Sequence, residues 1–447
     1  MDKTLTEKDI LLYREKYDAD RENRVREHAV TSVGIGKAGL DLSCTRELEP
    51  VFSIDVDCGS VTNQKRSGRC WMFAGLNVLR KILIDALKVK DFECSQAYLQ
   101  FYDKLEKANF FMEGILSLAK EDISSRNNVF LLDSGIGDGG HWAMFVNLVR
   151  KYGIVPSAVL PDTTVNADTG ELNVILSRLL KQDALVLREI VRKKGLREAR
   201  KRKDDLLAEI YRVLSISLGQ PPQSFDFEYR DKDNVFHREE GLTPKSFYEK
   251  YVKTSLAEYV SLTDAPIHGW KKGTKYTCPL VNNVVGGENV IFYNSDMKVI
   301  KDGAILSLKN GEPLWFAADV SEQSLRKEGF LDSRLFDYES LFRVELMKDK
   351  GKRLDSRISF SNHAMCLTGV DLDSSGCPLR WKVENSWGKE NGKDGFFVMS
   401  DAWFTDNVYQ VIINRKYLPK KVVNNYDRAE TVEVEPFNGM FGMPERK

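Results

Sequence analysis

Nothing in this sequence is apolar for long enough to cross a bilayer, since no run approaches the roughly 20 residues that a spanning helix needs. An excess of one charge is missing too. Lysine plus arginine number 66 and aspartate plus glutamate 66, which excludes a surface built wholly for nucleic acid or for an anionic membrane and leaves only local patches. Glycine (31) and proline (13) are ordinary for 447 residues, so collagen-like and low-complexity classes drop out. The N-terminus, Met-Asp-Lys-Thr-Leu-Thr-Glu, has no apolar stretch and no small-residue cleavage site, and no secretory signal is expected. The seven cysteines (Cys44, Cys58, Cys70, Cys94, Cys278, Cys366 and Cys377) are odd in number and scattered. No C-x-x-C occurs and none stands at zinc spacing from one of the five histidines, so neither a disulfide framework nor a metal or other cofactor is expected, and a reducing, cytoplasmic setting is. No internal repeat is visible.

What is present is ample material for a core: 42% hydrophobic residues beside 30% charged ones. Residues 4–30 carry Ile10, Leu11, Tyr13 and Tyr17 at helical spacing behind a Thr6-x-x-Asp9 cap, which predicts an arm or surface helix. From Cys70 the apolar residues run through Leu87 around most of a helix circumference, so this helix is expected to be buried on nearly all sides. A second helix is expected over 95–120. Glycines and prolines punctuate 125–165 around a short helix at Trp142–Tyr152, and 170–217 reads as helical. Beyond residue 270 short apolar runs predict strands at Asn289–Tyr293, Pro313–Val320, Ala364–Val370, Trp381–Glu384 and Phe396–Met399. Helices first and strands later make an α+β protein.

Three constellations carry chemistry. In Gln64-Lys65-Arg66-Ser67-Gly68-Arg69-Cys70-Trp71 a cysteine opens a buried helix, where the helix dipole and the free first-turn N–H groups favour its thiolate. Gln64 can aim an amide donor at the same point and, with the Cys70 N–H, form an oxyanion hole; Gly68 would leave room for a substrate backbone beside the sulfur. In Asn362-His363-Ala364 a histidine heads a buried strand. In Glu384-Asn385-Ser386-Trp387-Gly388 an asparagine can fix the imidazole tautomer while Trp387 shields that bond from water. A thiolate–imidazolium pair of Cys70 and His363 near neutral pH is the expectation. Any one of these pieces, met alone, is more often structural; the ordered set is not.

Gln-x5-Cys-Trp, then His-Ala, then Asn-Ser-Trp-Gly resembles the papain-like cysteine peptidases, which keep nucleophile, base and orienter in this order. Almost three hundred residues separate Cys70 from His363, far more than compact papains use. Asn63-Gln64-Lys65-x-Ser67-Gly68-Arg69-Cys70-Trp71, the run from Phe225 to Asp233 (Phe-Asp-Phe-Glu-Tyr-Arg-Asp-Lys-Asp) and Trp381-Lys382-Val383-Glu384-Asn385-Ser386-Trp387-Gly388 together look like the bleomycin hydrolase / aminopeptidase C family. That resemblance spans residues 5 to 436 and implies a papain-like two-lobed core, a helical lobe and a β-barrel-like lobe, with helical insertions and an N-terminal arm. It further implies a homohexamer with enclosed active sites and thiol-dependent aminopeptidase activity on peptides. Carried over by motif, Cys70 is nucleophile, His363 base and acid, Asn385 orienter and Gln64 oxyanion donor. Gly139 and Gly140 match the glycine pair on which such enzymes align substrate, and Gly68 and Trp387 complete the substrate-side candidates.

On this reading the chain divides into an arm (1–45), a helical lobe with the nucleophile helix (46–165), a mainly helical insertion with oligomer contacts (166–265), a strand-rich lobe with His363 and Asn385 (266–430) and a tail toward the cleft (431–447). The tail, Pro436-Phe437-Asn438-Gly439-Met440-Phe441-Gly442-Met443 followed by Pro444-Glu445-Arg446-Lys447, lacks the tryptophan and second proline of the family phrase. That departure keeps open an oligoendopeptidase of the same fold. The basic stretch 192–203, eight lysines and arginines against one glutamate, keeps open a nucleic-acid-binding protein that retains the fold.

Overall fold

The computed structural model describes residues 3–437 and 439–441. The stretch expected as one arm helix over 4–30 is two, Glu7–Asp18 and Arg21–Val33, and a short third, Ile35–Gly39, follows. Thr6 and Asp9 form the expected capping box, and the break follows because Asp20 takes extended backbone and accepts the N–H of Glu22, starting a new helix. Neither helix buries any residue.

The nucleophile helix, Cys70–Leu87, buries every residue from Trp71 to Arg80. It is sandwiched between the helix Trp142–Tyr152 and the sheet: the Trp315 indole donates to the Trp71 carbonyl (3.0 Å) and Phe145 fills the space where a Cβ on Gly75 would stand. The helix Gln96–Ser117 is capped by Ser95, whose hydroxyl accepts the N–H of Tyr98. A helix at Arg126–Ser134, outside the sequence expectation, is docked by its buried Asn128, which accepts from Arg188. The helical stretch after 170 is two helices, Gly170–Lys194 and Leu196–Leu218, because Gly195 turns the chain back at φ +86°, a conformation that favours glycine. Leu172, Leu176 and Leu180 on one and Leu206, Ile210, Leu214 and Leu218 on the other repeat every four residues and pack on Phe101, Ala108, Met112 and Ile115 of Gln96–Ser117. A hairpin, Phe225–Arg230 with Phe236–Leu242, leads back toward the core.

The described strands build a twelve-stranded mixed sheet. Its centre runs Tyr259–Thr263, Val408–Asn414, Leu314–Ala318, His363–Leu372, Pro378–Glu384 and Phe396–Ser400 as antiparallel neighbours. All five expected strands are present within a few residues. Three members lie outside the expected strand region, Tyr259–Thr263 before residue 266, Ile54–Asp55 in the helical lobe and Thr431–Glu433 in the tail, and a helix, Met297–Lys309, interrupts it. The fold is papain-like and α+β.

Candidate active site

Cys70 is the first residue of the nucleophile helix, behind Arg69 at φ −83° and ψ 14°. The N–H groups of Trp71 and Cys70 approach its sulfur, as does the N–H of Ala364, the residue after His363. The loop ahead of it turns sharply at Lys65, whose φ of +53° lies in the left-handed region. Gln64 is buried there and donates one amide hydrogen from Nε2 to the Ser67 carbonyl at 2.6 Å, while the Ser67 hydroxyl donates back to the Gln64 carbonyl at 2.6 Å. An amide nitrogen carries two hydrogens, so the Ser67 bond fixes which end of Gln64 is the donor and leaves the second hydrogen for the cleft that Gln64 lines.

The antiparallel register sets Cys366 opposite Glu384, so the residue after Glu384 stands beside the start of the histidine strand. There Asn385 Oδ1 lies 2.9 Å from His363 Nε2. The same oxygen accepts the Ser386 N–H at 2.8 Å. A flipped amide would set two donors against each other at Ser386, so the orientation is determined, His363 must donate from Nε2, and Nδ1 is left as the acceptor. Trp387 stacks on the imidazole with ring centroids 4.6 Å apart. Gln64 N–H donates to the Ser386 carbonyl at 2.8 Å, tying the loop before Cys70 to the loop after Asn385. Cys70, His363 and Gln64 line one cavity of about 630 Å³.

The family model described as "Peptidase C1-like family" matches residues 4–441. The chain belongs to this family. Its full-length relatives include aminopeptidase C of Streptococcus thermophilus, 42% identical over 95% of each chain, and aminopeptidase C of Lactococcus lactis subsp. lactis, 41% identical over 94% of this chain and 95% of that one. The crystal structure of PepW from Lactobacillus rhamnosis HN001 is 41% identical, covers 99% of this chain and all of that one, and superposes with a TM-score of 0.95. This Peptidase C1-like chain is a cysteine peptidase of the aminopeptidase C group.

The remaining candidates fall to different duties. Gly139 and Gly140 both line the cavity, but only Gly139 faces open space; a Cβ on Gly140 would sit 2.6 Å from the Trp71 ring, so that glycine admits the nucleophile helix. Gly68 also lines the cavity, yet its missing Cβ makes room for the Asp138 side chain (2.8 Å), which the expectation of a substrate berth had not foreseen. Trp387 is outside the cavity lining and stacks on His363, with Phe397 and Arg326 also against its ring. The tail reaches the site: the Ser361 N–H donates to the Gly439 carbonyl, and buried Phe441 lines the cavity and meets Phe292 edge to face at 4.9 Å. Asn438 and Gly442–Lys447 lie outside the described residues.

Burial pushes the Cys70 thiol up to about 11, against the pull of the Ala364 and Trp71 N–H groups, and pushes His363 down to about 4, against the pull of Asn385. Burial thus opposes the expected ion pair, because it penalises each charge singly. The expected ion pair therefore forms only if the mutual attraction of its two charges exceeds both penalties. Three residues that the sequence reading passed over also belong here. Lys107, His141 and Arg357 line the cavity, and no aspartate or glutamate does among the described residues. Asp138 lies beneath the loop, where it accepts from Gly68 N–H (2.9 Å), Lys104 (2.6 Å), Thr169 and Asn173. Its position directly before Gly139-Gly140 was the only available signal.

Proposed function

We propose that this cysteine-type aminopeptidase releases N-terminal residues from peptides through an acyl-enzyme formed on Cys70. His363 Nδ1 holds the proton drawn from Cys70 Sγ, and the thiolate attacks the scissile carbonyl carbon. The carbonyl oxygen gathers charge facing Gln64 Nε2–H and the Cys70 N–H. Collapse breaks the C–N bond, and His363 returns its proton to the leaving amine. Water, deprotonated by His363, then attacks the thioester; the acid leaves and the proton returns to the sulfur. The observation that carries this reading is the Nε2–Asn385 bond, which leaves Nδ1 as the ring nitrogen that can exchange a proton in the cavity that Cys70 and His363 line.

Removal of terminal residues needs one side of the cleft closed and a negative charge for the substrate ammonium. Phe441 in the cavity supports the first, and the missing carboxylate among the described lining residues leaves the second to the tail beyond it. That same deficit favours a second reading, cleavage of internal bonds in short peptides. Matched peptides with free and acetylated N-termini decide: hydrolysis confined to the free form, abolished in Cys70→Ala, is the expected result, while equal rates would select the second reading. Deleting residues 444–447 should change that ratio if the tail carries the charge. The seven free cysteines support a cytoplasmic site of action, and the exposed apolar side chains of the arm support a homohexamer. Nucleic-acid binding by 192–203 is the weaker proposal, since Lys193, Arg200, Lys201, Arg202 and Lys203 are all paired with carboxylates.

A further inference from the structure

The loop that presents Gln64 is bent at Lys65 into a left-handed conformation that a non-glycine residue holds only when its surroundings impose it. What imposes it is a chain of hydrogen bonds leading away from the cleft. The Gln64 amide rests on the Ser67 carbonyl and the Ser67 hydroxyl on the Gln64 carbonyl. That hydroxyl also accepts from Arg69 Nε at 2.9 Å. Arg69 is 1% exposed, and its guanidinium is gripped by both oxygens of Asp162, Nη1 to Oδ1 at 3.0 Å and Nη2 to Oδ2 at 2.8 Å. Its other side lies over the Phe73 ring of the nucleophile helix at 5.1 Å. A second anchor comes from the same direction: the Arg66 N–H donates to the Ala167 carbonyl at 2.9 Å.

An Arg–carboxylate fork is geometrically exacting because two parallel bonds fix both planes. Its hydrogen bonds lead toward the reacting atoms through Ser67 to Gln64. We propose that Arg69 and Asp162 are positioning residues for the oxyanion donor: they fix Ser67, and Ser67 fixes the hydrogen that Gln64 Nε2 offers to the developing oxyanion. The inference rests on the reading of Gln64 as that donor. It sets Asp162, remote in sequence and outside the cavity lining, among the residues on which turnover depends. None of these hydrogen bonds reaches the Cys70 sulfur, which meets the N–H groups of Ala364, Trp71 and Cys70.

That separation gives the test. Asp162→Asn, Asp162→Glu, Ser67→Ala and Gln64→Ala are compared for kcat, KM, the rate at which iodoacetamide alkylates Cys70, and inhibition by a peptide aldehyde. Alkylation builds no oxyanion. The aldehyde does take one partway, as sulfur adds to its carbonyl carbon and the oxygen acquires the proton. Asp162→Asn should lower kcat by about tenfold to a hundredfold and weaken the aldehyde by a similar factor, with KM and alkylation within about twofold of the parent. Asp162→Glu should restore part of the loss. Ser67→Ala should show the same pattern without leaving a buried guanidinium unpaired, which covers the case in which Asp162→Asn fails to fold. Alkylation falling in step with kcat would overturn the proposal, as would unchanged turnover in Asp162→Asn and Ser67→Ala beside a loss in Gln64→Ala. No loss in Gln64→Ala would instead overturn the reading of Gln64 on which it stands.

Discussion

Two hydrogen bonds to a single oxygen decide how His363 can work. Because Asn385 Oδ1 accepts from both His363 Nε2 and the Ser386 N–H, the imidazole keeps its acceptor nitrogen free. Asn385→Ala removes that constraint without touching substrate, so kcat should fall about tenfold or more while KM changes little, as steady-state kinetics would show. The charge state of the pair is tested by the pH profile of Cys70 alkylation. His363 has its folded pKa depressed toward about 4, so it stays neutral alone until the pH falls through that value, and Cys70 alone would need alkaline pH. If mutual attraction offsets these pushes, the rate should level off well below pH 7. In His363→Ala the sulfur meets burial without its counterion, and the midpoint should move up toward about 11. A parent profile that climbs only at alkaline pH would show that burial prevails.

Between elements the strongest ties are buried and charged. Lys104 of Gln96–Ser117 meets Asp138 under the nucleophile loop, both side chains nearly inaccessible. Lys104 and the Thr169 and Gly68 donors hold the Asp138 carboxyl well below the usual carboxylate range, against the push of burial. A depressed carboxylate contributes stability that is fully present above the unfolded value near 4 and is lost as pH falls through the folded one. Asp138→Asn should therefore cost on the order of 3 kcal/mol at pH 7, because it leaves Lys104 buried and unpaired, and the difference from the parent should narrow below pH 4 in chemical denaturation. Elsewhere the helix Trp142–Tyr152 ends at Gly153, at φ +76° and with the Pro244 carbonyl oxygen 2.2 Å from where a Cβ would stand. Backbone cannot give way as a side chain can, so Gly153→Ala should lose at least about 2 kcal/mol in thermal melts.

At the scale of the molecule the arm stands out, since apolar side chains lie in the open on a helix that buries none of its residues. Ile10 (52%), Leu11 (59%) and Tyr13 (52%) are exposed on it. Such apolar side chains on an unburied helix fit a partner surface, and a second copy of the chain is the partner that the proposed homohexamer supplies. Light scattering coupled to gel filtration should give six times the 51.0 kDa chain mass, and removal of residues 1–34 should yield smaller species that keep activity on unblocked short peptides. A monomer at micromolar concentration in the full chain would count against the assembly.

The sequence by itself determined the elements whose signals are local. Cys70–Leu87 is apolar around its circumference, Trp142–Tyr152 is bounded by Gly140 and Gly153, and the five strands carry β-branched or aromatic runs between turn residues. It also determined the site candidates that occur in ordered motifs, because Gln64, Cys70, His363 and Asn385 each sit in a phrase of distinctive neighbours. What only the tertiary structure decided lies where the physical cause is distant in the chain. The periodicity of 170–218 runs on through Gly195, and only packing against Gln96–Ser117 rewards the reversal there. The arm splits at Asp20 on a cap that the apolar spacing hides. Val408–Asn414 is a central strand because two neighbours, Tyr259–Thr263 and Leu314–Ala318, bracket it from far upstream. Gly68 and Gly140 look alike in sequence to Gly139, yet one admits Asp138 and the other Trp71. Asp138 and Asp162 are single carboxylates among 66 acidic residues, and only the glycine pair after Asp138 marks either of them locally. They matter because folding brings them against a strained loop whose donors they satisfy, and that proximity is a property of the packed chain alone.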